Sequence, residues 1–306
     1  MSKRKKVLFH EYFSEWIDLY KVGAVRDVTL AKYKMTLQHL IKIAPDLELS
    51  KLDRKEYQKV LNIYAQTHEK QTTTDFHHQL KGAILDAIDE QLIPVDPTRK
   101  IVIKGRTPTI KKTKFVSQFD LQKLINNLKL TEEINFDWLI LLIAKTGLRF
   151  SEALALTKGD FNFSYQTITI SKTWNYKTEE GGFQETKNAS SKRVVQLDWK
   201  TNMQFAQLLE RYDEDKLIFV SGRIFNSTVN NRLRRHCEKS EIPIISIHGL
   251  RHTHASLLLF AGVSIASVAR RLGHANMSTT QQTYLHIIQE LENQDNDKIM
   301  RYLSSI

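Results

Sequence analysis

Two arginines, two histidines and a late tyrosine stand where a phosphodiester could be held and attacked. Arg149 lies in "TGLRFSEALAL" (146 to 156) and Arg251 in "HGLRHTHAS" (248 to 256). A scissile phosphate gathers charge on its non-bridging oxygens in the transition state, and guanidinium groups match those oxygens bidentately without titrating. Together they would make a clamp. His248 precedes Arg251 by one helical turn, so both can point to one face at a helix start. His274 and Tyr284 stand in "LGHANMSTTQQTYLH" (272 to 286), the histidine directly after a helix-ending glycine. A phenol of ordinary pKa is about one part in a thousand ionised at neutral pH, a handicap of roughly 4 kcal/mol. Adjacent cations and a histidine acceptor offset much of it, so Tyr284 reads as a nucleophile or, taken alone, as a core tyrosine.

Further residues bear on this chemistry. Glu152, one turn past Arg149, is placed to orient a neighbouring arginine; a helix-start glutamate is the plain alternative. Lys187 in "ETKNASSKRVVQL" (185 to 197) sits between a turn and a strand, with Lys192 as its rival and a solvated loop lysine as the plain reading of either. His248 and His252 invite a zinc reading, but the protease pattern needs Glu after the first His, and Gly249 stands there. No cofactor or metal is expected.

These residues need a scaffold, and the chain is long enough for two domains. It has 306 residues, 41% of them hydrophobic, and 45 Lys plus Arg against 34 Asp plus Glu give a net charge of +11. That balance favours a polyanionic partner, above all nucleic acid. No run approaches membrane-spanning length, the N-terminus lacks the apolar core of a signal peptide, and the single Cys237 excludes an internal disulfide and fits a reducing cytoplasm. Residues 1–103 read as four helices, at about 8 to 20, 29 to 43, from Asp53 with a capping box to Glu56, and about 73 to 92. Residues 104–115 form a basic interdomain linker with Lys104, Arg106, Lys111, Lys112 and Lys114 as candidate DNA contacts. Helices follow at about 117 to 128 and 134 to 146, then strands at 167 to 171 and 192 to 198 with "TEEGG" between them as a turn. Further helices start at a Ser227 cap, end at Gly262 and Gly273, and start again at a capping box of Ser278 with Gln281, which puts Tyr284 in a second turn.

In order and type, Arg149, Lys187, His248 with Arg251, His274 and Tyr284 resemble the tyrosine site-specific recombinases, the phage lambda integrase family. The resemblance spans about 110 to 290 and extends more weakly over 8 to 100. It looks most like integrases of Gram-positive phages, conjugative transposons and integrative conjugative elements. Six required types in the required order are not a coincidence, and this favours the nucleophile reading of Tyr284.

The resemblance implies a mainly α protein with a small antiparallel β-sheet, in which a helical SAM-like core-binding domain precedes an α+β catalytic domain over 116–286. It implies that Tyr284 attacks the scissile phosphate and forms a 3′-phosphotyrosyl enzyme, while Lys187 protonates the leaving 5′ oxygen. Arg149 and Arg251 would bind the phosphoryl oxygens, His248 and His274 would assist proton transfer, and Glu152 would stand behind them. Implied partners are double-stranded DNA attachment sites, a tetramer of this chain on DNA, and an excisionase or DNA-bending protein, all in the bacterial cytoplasm. The tail, 287–306, would form a helix that docks on a neighbouring protomer; a frayed end with an intramolecular contact is the plain alternative. Many such integrases begin with a small arm-binding domain, whereas here the core-binding helices follow "MSKRKKV" at once, which leaves arm-site recognition open. Two rivals remain: a non-cleaving DNA-binding regulator, and a type IB topoisomerase that relaxes supercoils as a monomer.

Overall fold

Aromatic and aliphatic residues repeating every fourth position build the first unit of the chain. The computed structural model describes residues 6–107, 113–186, 188–284 and 300–305. They fall into two units, Met1–Lys111 and Lys112–Ile306. In the first, α1 (Phe9–Tyr20), α2 (Asp27–Ile43), α3 (Arg54–Ala65) and α4 (Lys70–Asp89) surround a core of Phe9, Phe13, Ile17, Leu40, Tyr57, Leu61, Phe76, Leu80 and Ile84. Each such side chain stabilises the fold by roughly 1.5–3 kcal/mol on burial, which outweighs differences in helix propensity.

The helix ends correct the sequence reading in detail. Asp53 accepts the Glu56 N–H at 2.8 Å, but the Glu56 carboxylate turns out to Lys59 at 2.6 Å, so half of the expected capping box forms. α4 starts three residues early because Thr73 and Thr74 donate their hydroxyls back to the carbonyls of Glu69 and Lys70, which reconciles a threonine run with a helix. It stops at a left-handed Gln91, where the Leu92 N–H reaches back to the Ala87 carbonyl at 2.9 Å.

In the second unit α5 (Gln118–Asn126) leads to α6 (Phe136–Thr146), whose run Trp138 to Ala144 is buried all round and forms the axis of the core. α7 (Phe150–Leu154) follows at once. β1 (Phe161–Asn162), β2 (Thr167–Ile170) and β5 (Arg193–Gln196) form an antiparallel sheet in the order β1-β2-β5, with Ile168 opposite Val195. Between β2 and β5 the chain makes a separate hairpin of β3 (Lys172–Trp174) and β4 (Phe183–Glu185), and "TEEGG" turns at its tip rather than joining the two expected strands directly.

After β5 come α8 (Trp199–Leu208), α9 (Asn226–Lys239), α10 (Ile247–Phe260), α11 (Ile265–Leu272) and α12 (Met277–Thr283). Two caps differ from expectation. α9 starts before Ser227, its first turn closed by Thr228 N–H on the Phe225 carbonyl at 3.0 Å. α12 is capped by Asn276, which accepts the Ser278 N–H at 2.9 Å; the helix ends at Thr283, and Tyr284 is its C-cap rather than a second-turn residue. Of the tail only residues 300–305 are described. Among the described residues no helix is long and apolar enough to cross a membrane.

Candidate active site

Two helices of the second unit end in glycine, and their last carbonyls organise the site. Gly147 closes α6 at φ 69°, where an added Cβ would lie 2.7 Å from the His254 ring, and its carbonyl accepts Arg251 Nη1 at 2.7 Å. Gly273 closes α11 at φ 68°, the Leu272 carbonyl accepts Arg251 Nη2 at 2.7 Å, and the Gly273 carbonyl accepts Arg149 Nη2 at 3.0 Å. Helix C-termini carry partial negative charge, so both arginines are held where cations are favoured.

Arg251 is 3% exposed. Burial, with the Arg149 charge adding to it, pushes its pKa down to about 9, still cationic at neutral pH. Arg149 is the N-cap of α7 and remains partly exposed. Beneath it lies Glu152, 1% exposed, accepting Arg149 Nη1 at 2.6 Å on Oε1 and the Arg149 backbone N–H at 2.9 Å on Oε2. Burial would raise this carboxyl, but the hydrogen bonds and charge of Arg193 and the charge of Arg149 outweigh it and hold the pKa below the ordinary value. One carboxylate thus stands among three guanidiniums, which leaves surplus positive charge.

Arg193 is a member of the site that sequence reasoning missed. It donates Nη2 to Glu152 Oε2 at 2.9 Å and Nη1 to Oε1 at 3.1 Å, and Nε to the Arg271 carbonyl at 2.7 Å. Its signal was a basic residue in phase with buried Val195 on an alternating strand.

The histidines cluster beside these cations. His248, in the first turn of α10, is exposed, yet the atoms packed round its ring and the charges of Arg251 and Arg149 lower its pKa. His274 Nδ1 pairs with Thr280 Oγ1 at 2.6 Å, and burial followed by the charges of Arg251, Arg149 and Arg193 takes its pKa down to about 4. Tyr284 is 2% exposed, packed with Ala255, Leu259, Val268 and Leu272. Burial pushes its phenol up to about 12, against a lowering pull from Arg251. Its hydroxyl meets His252 Nδ1 at 2.9 Å, a second residue that sequence reasoning passed over except as half of a zinc pair. Among the described residues no three His, Cys, Asp or Glu side chains cluster as a metal ion would require.

The structure therefore gathers Arg149, Glu152, His248, Arg251, His274 and Tyr284 around one point, with Arg193 and His252 added. Lys187 lies outside the described residues, as do Lys111 and Lys112. Lys192 is exposed just before β5. Lys114 is exposed, and its charge helps to lower the His252 pKa. Lys104 and Arg106 are exposed on the first unit, where Arg106 is tied down by its backbone N–H on the His68 carbonyl at 2.8 Å and by its side chain on the Gln66 carbonyl.

Known proteins resemble this chain in sequence and in fold. The sequence profile of the phage integrase family matches residues 114–290. The integrase of Staphylococcus phage L54a is 24% identical over 97% of this chain and 94% of its own length. The transposase of transposon Tn916 from Enterococcus faecalis is 26% identical over 84% of this chain and 66% of its own. Among solved structures, the Tn1549 transposon integrase in complex with circular intermediate DNA superposes with a TM-score of 0.77 at 16% identity, covering 90% of this chain and 94% of that one. A lambda integrase dimer bound to a core site gives 0.66 at 16% identity, covering 90% and 77%.

Proposed function

The chain belongs to the phage integrase family and is a tyrosine recombinase, and on that premise we propose how its own residues cut and rejoin DNA. The substrate is double-stranded DNA at attachment sites of a mobile element or prophage. Tyr284 Oη attacks the scissile phosphorus, forming a 3′-phosphotyrosyl ester as the bond to the 5′ oxygen breaks. Arg149 and Arg251 hold the non-bridging oxygens. A guanidinium has five N–H groups, more than the carbonyl and carboxylate bonds described above use, so donors remain for the phosphate. Lys187 protonates the leaving 5′ oxygen, and His248 and His274 assist in moving the phenolic proton. Glu152 fixes the aim of Arg149. Rejoining reverses these steps, with bond energy kept in the tyrosyl ester, so the residues need no nucleotide to drive it.

The observation that carries this reading is the meeting of Arg149, Arg251 and Tyr284, far apart in sequence, at the C-terminal ends of α6 and α11. Residues 1–103 form the core-site binding domain, 104–115 the basic linker, and 116–286 the catalytic domain. Lys104, Arg106, Lys111, Lys112 and Lys114 contact the DNA backbone. Four protomers assemble on two sites, each tail (287–306) docking on a neighbour, and an excisionase or bending protein sets the direction. The protein works on DNA in the bacterial cytoplasm.

The test is incubation with nicked suicide duplexes carrying attachment sequences from the element that flanks the gene. Wild type is expected to give a covalent protein–DNA band on a denaturing gel, and Tyr284→Phe none. Specific binding without an adduct at any salt concentration would leave the regulator reading in its place.

A further inference from the structure

One stripe of α10 carries His248, His252, Ala255 and Leu259, which recur at helical spacing. Its first turns are polar and its later ones apolar. Tyr284 matches that gradient, its ring lying in the cluster with Ala255 and Leu259 and its hydroxyl at His252 Nδ1, 2.9 Å away. The two rings meet edge to face at 5.8 Å, and His252 meets His248 in the same way at 4.7 Å. A phenol buried to this degree needs a partner for its hydroxyl, and His252 is the hydrogen-bond partner found among the described residues.

We infer that His252 is a positioning residue of the recombinase site, an imidazole acceptor that seats the hydroxyl of Tyr284 and sets its aim at the phosphate. The inference rests on the reading of Tyr284 as nucleophile. Seating requires a neutral ring with its proton on Nε2, so that Nδ1 accepts from the phenol. The groups facing His252 favour that state. His248 and Arg251 on α10, Lys114 ahead of α5 and His274 after α11 are all basic, and the Tyr284 phenol is neutral. Burial first, then the charges of His248, Arg251 and Lys114, lower the His252 pKa to about 4, so the seat stays formed throughout the neutral range. His274, by contrast, spends Nδ1 on Thr280.

Asparagine separates seating from other roles, since its side-chain oxygen can take the place of Nδ1 as an acceptor but cannot carry a proton away. On the nicked suicide duplex, single-turnover adduct formation is expected to fall about 30-fold or more in His252→Ala, with DNA affinity within twofold of wild type. His252→Asn is expected to return to within about fivefold of wild type. The wild-type advantage over His252→Ala should be flat between about pH 6 and 8, across the range in which an ordinary histidine titrates.

A second measurement does not depend on cleavage. In ¹⁵N-histidine NMR of the free protein, His252 should show the Nε2-protonated tautomer, and its Nδ1 resonance should move in Tyr284→Phe. Cleavage by His252→Ala at the wild-type rate, an Nδ1-protonated tautomer, or Asn no better than Ala would each overturn the inference. Absence of an adduct in wild type would count against the recombinase reading, and the NMR result would still decide whether His252 seats the phenol.

Discussion

Glu152 holds Arg149 and Arg193 at once, each of its two oxygens accepting one hydrogen bond from each arginine. A buried carboxylate is costly unless paired, and here the pairing also fixes the geometry of the Arg149 guanidinium, which we propose holds the phosphate. Arg193 is 5% exposed at its side chain and well placed to keep Glu152 from turning away. Arg193→Met should therefore destabilise the fold by about 3–5 kcal/mol, as expected when one partner of a buried ion pair is removed. Denaturant titration would measure this, and Arg193→Met with Glu152→Gln should cost less than the sum of the single changes, because the stranded charge is gone. Additive costs would show that the two side chains act independently.

At the scale of elements, the site depends on where two helices stop. The final carbonyls of α6 and α11 converge on Arg251, and each helix is ended by a left-handed glycine. At Gly273 an added Cβ would lie 2.9 Å from Arg193 Nη1 and 3.2 Å from the Ser190 carbonyl. Gly273→Ala therefore combines backbone strain with displacement of the Arg193–Glu152 pair. We expect a loss of about 1–3 kcal/mol in thermal or denaturant unfolding, accompanied by a loss of adduct formation larger than global stability accounts for. A variant as stable and active as wild type would mean that the α11 terminus does not position the arginines. α10 supplies the complement, with Arg251, His248 and His252 on its early turns and the apolar bed for Tyr284 further along.

At the scale of the whole molecule, the +11 charge fits the proposed role of Arg149 and Arg251 in holding a phosphate. A chain that contacts about ten phosphates should lose DNA affinity with a log-log salt slope near −9. Measuring binding from 50 to 200 mM salt should thus show a fall of about five orders of magnitude. A shallow slope would argue that base contacts, rather than backbone charge, dominate the binding energy. Each of the two units has its own core, of Phe9 to Ile93 in the first and Val116 to Leu250 in the second, as a division into two domains requires.

Much of this was readable from order and type. Helical periodicity placed the four N-terminal helices within a few residues, because their cores repeat every third or fourth position. The left-handed stops at Gly147 and Gly273 were readable because a backbone at positive φ favours glycine. The order of Arg149, His248, Arg251, His274 and Tyr284 pointed to one chemistry before any contact was known. Contacts between residues distant in sequence had no such local signature. The pairing of Arg193 with Glu152 depends on the register of β5 against α7 and α11, and the seat of Tyr284 on His252 depends on how α12 ends against α10. Caps were misplaced at Ser227 and Ser278 because several neighbouring polar residues could serve, and the competition was settled by how each helix packs. Periodicity and residue type survive in a one-dimensional string. Which side chains share a buried charge or a hydrogen bond is decided only when the helices close on one another and water is excluded.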